Sequence, residues 1–141
     1  MNVKNKDIVR NRYNEFYSAT EINRLEASYF REKYYISEFI KNHKCRIIGD
    51  LGCGDGKLQN ILNTHIVKNN IYDKNIKIIG TDLAFNALTK NPRRSTINAD
   101  LTALPFKKHS FDLCYSLSTF QYLDNISHIF IECNRILKPG G

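Results

Sequence analysis

The residues best suited to chemistry in this chain are packed into one stretch, Asp50-Leu51-Gly52-Cys53-Gly54-Asp55-Gly56. It follows the short apolar run Arg46-Ile47-Ile48-Gly49 and precedes a helical stripe at Leu58, Ile61, Leu62, His65 and Ile66. Glycines placed there let the backbone turn sharply and approach a ligand with no Cβ in the way. A turn beyond the carboxyl end of a strand is also where an open α/β sheet binds ligands. The spacing then selects among ligands. A dinucleotide fingerprint, G-x-G-x-x-G, would need its third glycine at Lys57. A phosphate-binding P-loop would need glycine at Leu51 and Ser or Thr at Leu58. The G-x-G-x-G present, with Asp50 before it, suits close backbone contact rather than a pyrophosphate cradle.

Two further acids follow apolar runs. Asp82 ends Ile76-Lys77-Ile78-Ile79-Gly80-Thr81. A carboxylate there can accept hydrogen bonds from both hydroxyls of a ribose, or can cap the turn after Leu83. Asp100 follows Ser95-Thr96-Ile97-Asn98 and can accept from an exocyclic amine or serve as a loop or cap carboxylate.

The elements that must position these residues can be read from periodicity. Residues 14 to about 43 read as a helix, with Ile22, Leu25, Tyr29, Ile36, Phe39 and Ile40 at helical steps. Arg46–Leu51 reads as a buried parallel strand, and the stripe after Gly56 as a helix. Lys68 to Asn75 reads as a loop, and Ile76–Asp82 as a second strand. Ala84 to Lys90 is a short helix closed by Asn91-Pro92. Ser95–Asn98 is a third strand, Ser110 to Ser116 a fourth, and Ile126 to Leu137 a last amphipathic helix stopped by Lys138-Pro139-Gly140-Gly141. Alternation of strand and helix implies a parallel sheet covered on both faces.

Composition narrows the class. The 141 residues are 42% hydrophobic, with eight Tyr and eight Phe, which suits one globular domain. The N-terminus lacks the apolar stretch of a secretory signal and no apolar run can span a bilayer, so a cytoplasmic protein without membrane contact is expected. Cys45, Cys53, Cys114 and Cys133 are scattered and the four His do not cluster with them. That argues against a zinc site or a disulfide framework, and no metal is expected. The net charge of +7 is spread through a Lys- and Asn-rich chain. It reads mainly as solvated surface, with RNA or DNA as the minority reading.

Taken in order, the motifs resemble those of the class I S-adenosylmethionine-dependent methyltransferases, in the subgroup with an L-P-F…S-F-D stretch. The matching pieces are Ile47–Gly56, Ile79-Gly80-Thr81-Asp82, Asn98-Ala99-Asp100-Leu101, Leu104-Pro105-Phe106, Ser110-Phe111-Asp112-Leu113 and Arg135–Gly141. The resemblance covers residues 46 to 141. It implies an α/β, Rossmann-like methyltransferase fold with a partial parallel sheet of order 3-2-1-4 flanked by helices. Residues 1–45 would be an N-terminal helical segment and 46–141 the domain that binds S-adenosyl-L-methionine.

By the same resemblance, Gly52, Cys53 and Gly54 would wrap the methionine portion of the cofactor. Asp50 would orient that loop and approach the ligand's amino group. Asp82 would hold the ribose and Leu83 would pack on the adenine. Asp100 would meet the adenine amine, the Leu101 N–H a ring nitrogen, and the Ser116 carbonyl the cofactor's amino group. Tyr13 and Tyr17 resemble aromatic positions that close over the cofactor, though simple packing also accounts for them. Gln121, Tyr122 and Asp124 fall on the acceptor side, with no general base assigned.

The chain departs from the family's pattern at Gly141, before the expected fifth strand, and so reads as a fragment. Three functions stay open: methyl transfer to an unidentified small-molecule or macromolecular acceptor, RNA among them; a non-catalytic cofactor-binding or regulatory subunit; and, disfavoured by the glycine spacing, an NAD-binding Rossmann domain. The fourth strand would be an unprotected sheet edge, so the isolated chain is expected to self-associate or be unstable.

Overall fold

The computed structural model describes residue 11, residues 26–71, residues 75–124 and residues 126–141. Four parallel strands form its centre: β1 (Ile47–Leu51), β2 (Lys77–Asp82), β3 (Thr96–Asn98) and β4 (Leu113–Tyr115). Their spatial order is β3-β2-β1-β4, the order expected. β1 is one of the two interior strands: apart from Asp50 its side chains are apolar or absent, and four of its five residues are buried. It pairs with β2 from Ile47↔Lys77 to Leu51↔Thr81, and with β4 from Ile48↔Leu113 to Asp50↔Tyr115.

Strand pleating sends alternate side chains to opposite faces. On one face Ile48 and Ile78 pack with Ile40 and Cys45 at the end of helix α1 (Glu26–His43), and with Leu62 and Ile66 of α2 (Lys57–Lys68). Leu51 turns to the other face and joins Leu101, Leu104 and Phe111 with Ile129 and Ile136 of α4 (Ser127–Ile136). A short helix, α3 (Phe85–Leu88), and a single 3-10 turn, Phe120–Tyr122, complete the set.

The elements are the expected ones, with shorter ends. α3 spans four residues, beyond which Lys90 and Asn91 bond only three residues back and Asn91 is buried. The fourth strand narrows from Ser110–Ser116 to Leu113–Tyr115; at its start the Phe111 backbone pairs with Leu137 while the side chain stays in the core. On α2, Gln59 is buried beside Leu58 and Leu62, which the apolar stripe alone did not indicate. Its amide donates to the Ile78 carbonyl (2.9 Å) and accepts from Asn91 Nδ2 (2.9 Å), so both ends of the buried group are satisfied. Phe39, placed on the inner stripe of the first helix, is instead 40% exposed and stacks on His43. The expected helical residues 14–25 lie outside the described residues.

Two polar clamps fix the motifs downstream of the glycine cluster. Asp112 Oδ2 accepts from the backbone N–H groups of Ile47 (2.7 Å) and Arg46 (2.9 Å), while Oδ1 pairs with Lys138 Nζ (2.6 Å). Burial pushes this carboxyl up, but Lys138 and the two amides outweigh it and leave it below its ordinary value. On α4, Glu132 and Arg135 form a two-point ion pair with both contacts at 2.7 Å. Glu132 accepts from the Leu104 N–H, and Arg135 donates to the carbonyls of Leu104 and Phe106. The Leu104-Pro105-Phe106 loop is thus held by its backbone, which leaves Leu104 free to enter the core. Among the described residues, no helix is long and apolar enough to cross a membrane.

Candidate functional site

The loop from Gly52 to Gly56 leaves β1 with three left-handed residues, Gly52 (φ 79°), Gly54 (φ 55°) and Gly56 (φ 76°). Glycine alone adopts such angles without strain, which accounts for the alternating spacing. The Thr81 carbonyl on β2 anchors the turn by accepting from both Gly52 N–H (2.7 Å) and Cys53 N–H (3.0 Å). Neighbouring side chains set a second requirement. A Cβ on Gly52 would lie 2.2 Å from Thr119 Oγ1, and one on Gly56 2.2 Å from Asn91 Nδ2. At Gly80 on β2 it would lie 2.6 Å from Cys53 Sγ. Close approach of a ligand is therefore not the sole reason for glycine here; Thr119, Asn91 and Cys53 already fill that space.

Asp82, at the end of β2, reaches over the same loop. Its Oδ2 accepts from the Gly54 N–H and its Oδ1 from the Ala84 N–H, both at 2.8 Å. It thus caps the turn into α3 and ties that turn to the glycine loop. Burial raises its carboxyl above the ordinary value, and the N–H groups of Ala84, Gly54 and Leu83 offset part of the rise.

Asp50 is more deeply set, 3% exposed, under the loop on the α1/α2 face of β1. Burial pushes its carboxyl up to about 7; the Tyr115 hydroxyl lowers it and the negative charge of Asp82 raises it. Tyr115 donates to Asp50 Oδ2 at 3.0 Å. Of the two acids, it is Asp82 that accepts a loop N–H, that of Gly54. Among the described residues the Asp50 carboxylate meets Tyr115 and no loop N–H. The reason is register: Asp50 points to the face where β4 presents Tyr115, whereas Asp82 stands at the level of the loop.

The remaining expected positions ring the same strand ends. Asp100 Oδ1 accepts from both the N–H (2.9 Å) and the hydroxyl (2.8 Å) of Thr102, so it is at least a turn carboxylate. Leu101 buries its side chain in the core, and its N–H makes no hydrogen bond among the described residues. Leu83 is half-buried, with its carbonyl accepting from Asn98 Nδ2 (3.0 Å). Ser116 Oγ donates to the Leu51 carbonyl (2.7 Å), drawing the end of β4 against the start of the loop. Gln121, Tyr122 and Asp124 stand exposed beyond β4. Tyr13 and Tyr17 lie outside the described residues.

Three participants were not singled out from the sequence. Tyr115 reads there as strand filling and Thr119 as loop; neither carries a local signal, since each acts on a residue about sixty-five positions away in the chain. Tyr29 reads as part of the helix stripe, yet its hydroxyl is raised by burial and then by the charges of Asp55 and Asp50. The result is an acidic site. Asp50, Asp82 and Asp55 gather at one loop, and among the described residues no basic side chain offsets Asp50 or Asp82. Burial, and after it Asp50 and Asp82, pushes the Cys53 thiol well above its ordinary value, which disfavours the thiolate. Among the described residues no three His, Cys, Asp or Glu gather as metal ligands. Such a site favours a cationic ligand with hydroxyl and amide donors and repels a pyrophosphate.

Comparison with known proteins gives the family. The chain is 36% identical over 64 residues to malonyl-(acyl-carrier protein) O-methyltransferase 1 of Coxiella burnetii, covering 45% of this chain and 22% of that protein. It is 33% identical over 97 residues to the mitochondrial arginine-hydroxylase NDUFAF5 of Homo sapiens, covering 65% and 26%. The chain spans between 17% and 36% of the length of the curated relatives it matches. Among solved structures, geranyl diphosphate C-methyltransferase from Streptomyces coelicolor A3(2) superposes with a TM-score of 0.67 at 16% identity, over 99% of this chain and 63% of that one. The methyltransferase domain family matches residues 49–141, from the middle of β1 through the last turn. The chain belongs to the methyltransferase domain family.

Proposed function

We propose that this chain binds S-adenosyl-L-methionine across the glycine loop and the ends of β2 and β3, as part of an enzyme that transfers its methyl group to an acceptor. The observation that carries the reading is the acidic pair at the glycine loop, buried Asp50 and half-buried Asp82, with no basic counterpart among the described residues. This cofactor brings a sulfonium, an ammonium and ribose hydroxyls, and those are the groups such a site rewards. The sulfonium makes the methyl carbon electrophilic when the cofactor is bound. The chain's task is then to bind, orient and exclude water. Asp82 takes the ribose hydroxyls while it holds Gly54. Asp50 faces the ammonium, and Gly52, Cys53 and Gly54 pass beneath the methionine portion, with the Ser116 carbonyl turned to the same amino group. Leu83 packs on the adenine, with Asp100 and the Leu101 N–H at its polar edge. The acceptor enters beside Gln121, Tyr122 and Asp124.

The relatives do not choose the acceptor. Their names include a sterol and a malonyl-(acyl-carrier protein) as methylated substrates, and one is a hydroxylase. Calorimetric titration tests the cofactor. S-adenosylhomocysteine should bind and NAD should not, and Asp82→Ala should weaken the former about ten- to a hundredfold, as loss of a charged acceptor does. An unchanged dissociation constant in Asp82→Ala, or preference for NAD, would sink the assignment. Transfer of labelled methyl from S-adenosyl-L-methionine to extracted acceptors separates an enzyme from a cofactor-binding regulatory subunit.

A further inference from the structure

Asp50 and Tyr115 are register partners on neighbouring parallel strands, so both side chains leave the sheet on the same face. Their contact, phenol O–H to carboxylate Oδ2 at 3.0 Å, is thereby fixed by the sheet rather than by a mobile loop. The surroundings of Asp50 offer little else to an ionised carboxylate. It is 3% exposed, and among the described residues the titratable groups coupled to it, besides Tyr115, are Asp82 from β2, Cys53 from the loop and Tyr29 from α1. Asp82 repels its charge. The Cys53 thiol and the Tyr29 phenol are both held protonated by burial and by the neighbouring acids. Tyr115 is likewise held neutral, first by burial and then by Asp50 itself, so it stays a donor across the working range. Its hydroxyl is the one described group that favours the charged form of Asp50.

Resting on the cofactor reading above, we propose that Tyr115 is a positioning residue for recognition of the ligand's ammonium group. Its hydroxyl occupies one carboxylate oxygen of Asp50, orients the other toward the ligand, and links binding to loss of one proton from Asp50. The balance is simple. A protonated Asp50 and an ammonium ligand give the carboxylate–ammonium pair, and the displaced proton passes to the buffer. Burial, and after it the charge of Asp82, makes the Asp50 carboxyl reluctant to ionise. The incoming ammonium reverses that preference.

The direction of the pH effect follows. The unliganded Asp50 carboxyl sits near 7, so affinity should fall as the pH drops below that value, by about tenfold per pH unit, and level off above it. Tyr115→Phe keeps the ring packing and removes the donor. The carboxyl then ionises less readily, so the midpoint of the affinity profile should move to higher pH. At neutral pH Tyr115→Phe should bind at least several-fold more weakly than the wild type, recovering most of the difference at the alkaline end. Asp50→Asn should bind weakly with a flat profile.

The experiment is calorimetric titration of the purified chain with S-adenosylhomocysteine from about pH 5.5 to about pH 8, in buffer pairs of different protonation enthalpy that count protons released. Wild-type release of close to one proton in the acidic arm supports the proposal and requires no variant to fold. A displaced midpoint in Tyr115→Phe supports the role of the hydroxyl. Binding with no proton release, or a Tyr115→Phe profile superposable on the wild type, overturns this inference and leaves the cofactor reading standing. Absence of binding at every pH removes the cofactor reading, and this inference with it.

Discussion

Gly80 shows how a glycine can belong to a binding site without touching a ligand. It lies in the middle of β2 with an ordinary backbone angle, and its missing Cβ leaves room for Cys53 Sγ, which a side chain would approach to 2.6 Å. Cys53 in turn sits in the glycine loop, so an alanine at position 80 pushes the loop away from the sheet. Overpacking of this kind costs about 1–3 kcal/mol. Gly80→Ala should therefore lower stability in urea unfolding by about that amount. In a Cys53→Ala background the sulfur is gone, and part of the cost, about 1 kcal/mol, should be recovered. Strict additivity of the two substitutions would show that Cys53 is not the obstacle. Gly52 and Gly56 answer similar demands from Thr119 and Asn91, with positive φ added.

Between elements, the motifs beyond the glycine loop work as fasteners. Asp112 joins three segments: the amides that open β1, its own approach to β4, and Lys138 after α4. Its carboxyl is held below the ordinary value, so it stabilises the fold wherever it is ionised. That contribution is fully present above the unfolded value near 4 and is lost as the pH falls through the lower folded value. Asp112→Asn should cost about 1–3 kcal/mol at neutral pH, the range for hydrogen bonds to a charged group. The gap between variant and wild type should close as the pH drops well below 4 in acid-unfolding curves. A gap that persists unchanged at acid pH would mean that the charge contributes nothing. The Glu132–Arg135 pair does for the Leu104–Phe106 loop what Asp112 does for β1, by satisfying backbone groups that water would otherwise need to reach.

At the scale of the molecule, the open question is the outer side of β4. The chain returning from α4 pairs with its approach, through Phe111 N–H to the Ile136 carbonyl (3.0 Å) and Lys138 N–H to the Phe111 carbonyl (2.9 Å). Asp112 N–H points the other way, to the Ile47 carbonyl on β1. Alternation then turns the Leu113 and Tyr115 amides outward and the Cys114 amide inward. Both faces of β4 are covered, Leu113 and Tyr115 by the α1/α2 core and Cys114 by the α4 core. Of the unprotected edge expected from the sequence, what remains among the described residues is therefore the backbone and not an apolar face. The 141-residue chain should either exchange its Leu113 and Tyr115 amide hydrogens much faster than that of Cys114, or dimerise through them in sedimentation. A monomer that protects all three equally would refute an open edge.

Local pattern carried much of this protein. Alternating periods of two and 3.6 residues identify the strands and helices, because burial of an apolar face is a requirement each element meets along its own length. Left-handed backbone needs glycine, so Gly52, Gly54 and Gly56 mark the loop and their spacing marks its kind. Asp82 too was legible, as an acid at the end of an apolar run. What the tertiary structure alone decided is which groups these residues meet. Asp50 and Tyr115 are separated by 65 positions, as are Ser116 and the Leu51 carbonyl; Asp82 and Gly54 are 28 apart. Those partnerships follow from the β3-β2-β1-β4 order and from the registers Asp50↔Tyr115 and Leu51↔Thr81. A shift of one residue in either register would send the side chain to the other face. The reason is geometric: a hydrogen bond is made or lost within a fraction of an ångström, and only packing of the whole sheet fixes positions that finely across distant parts of the chain.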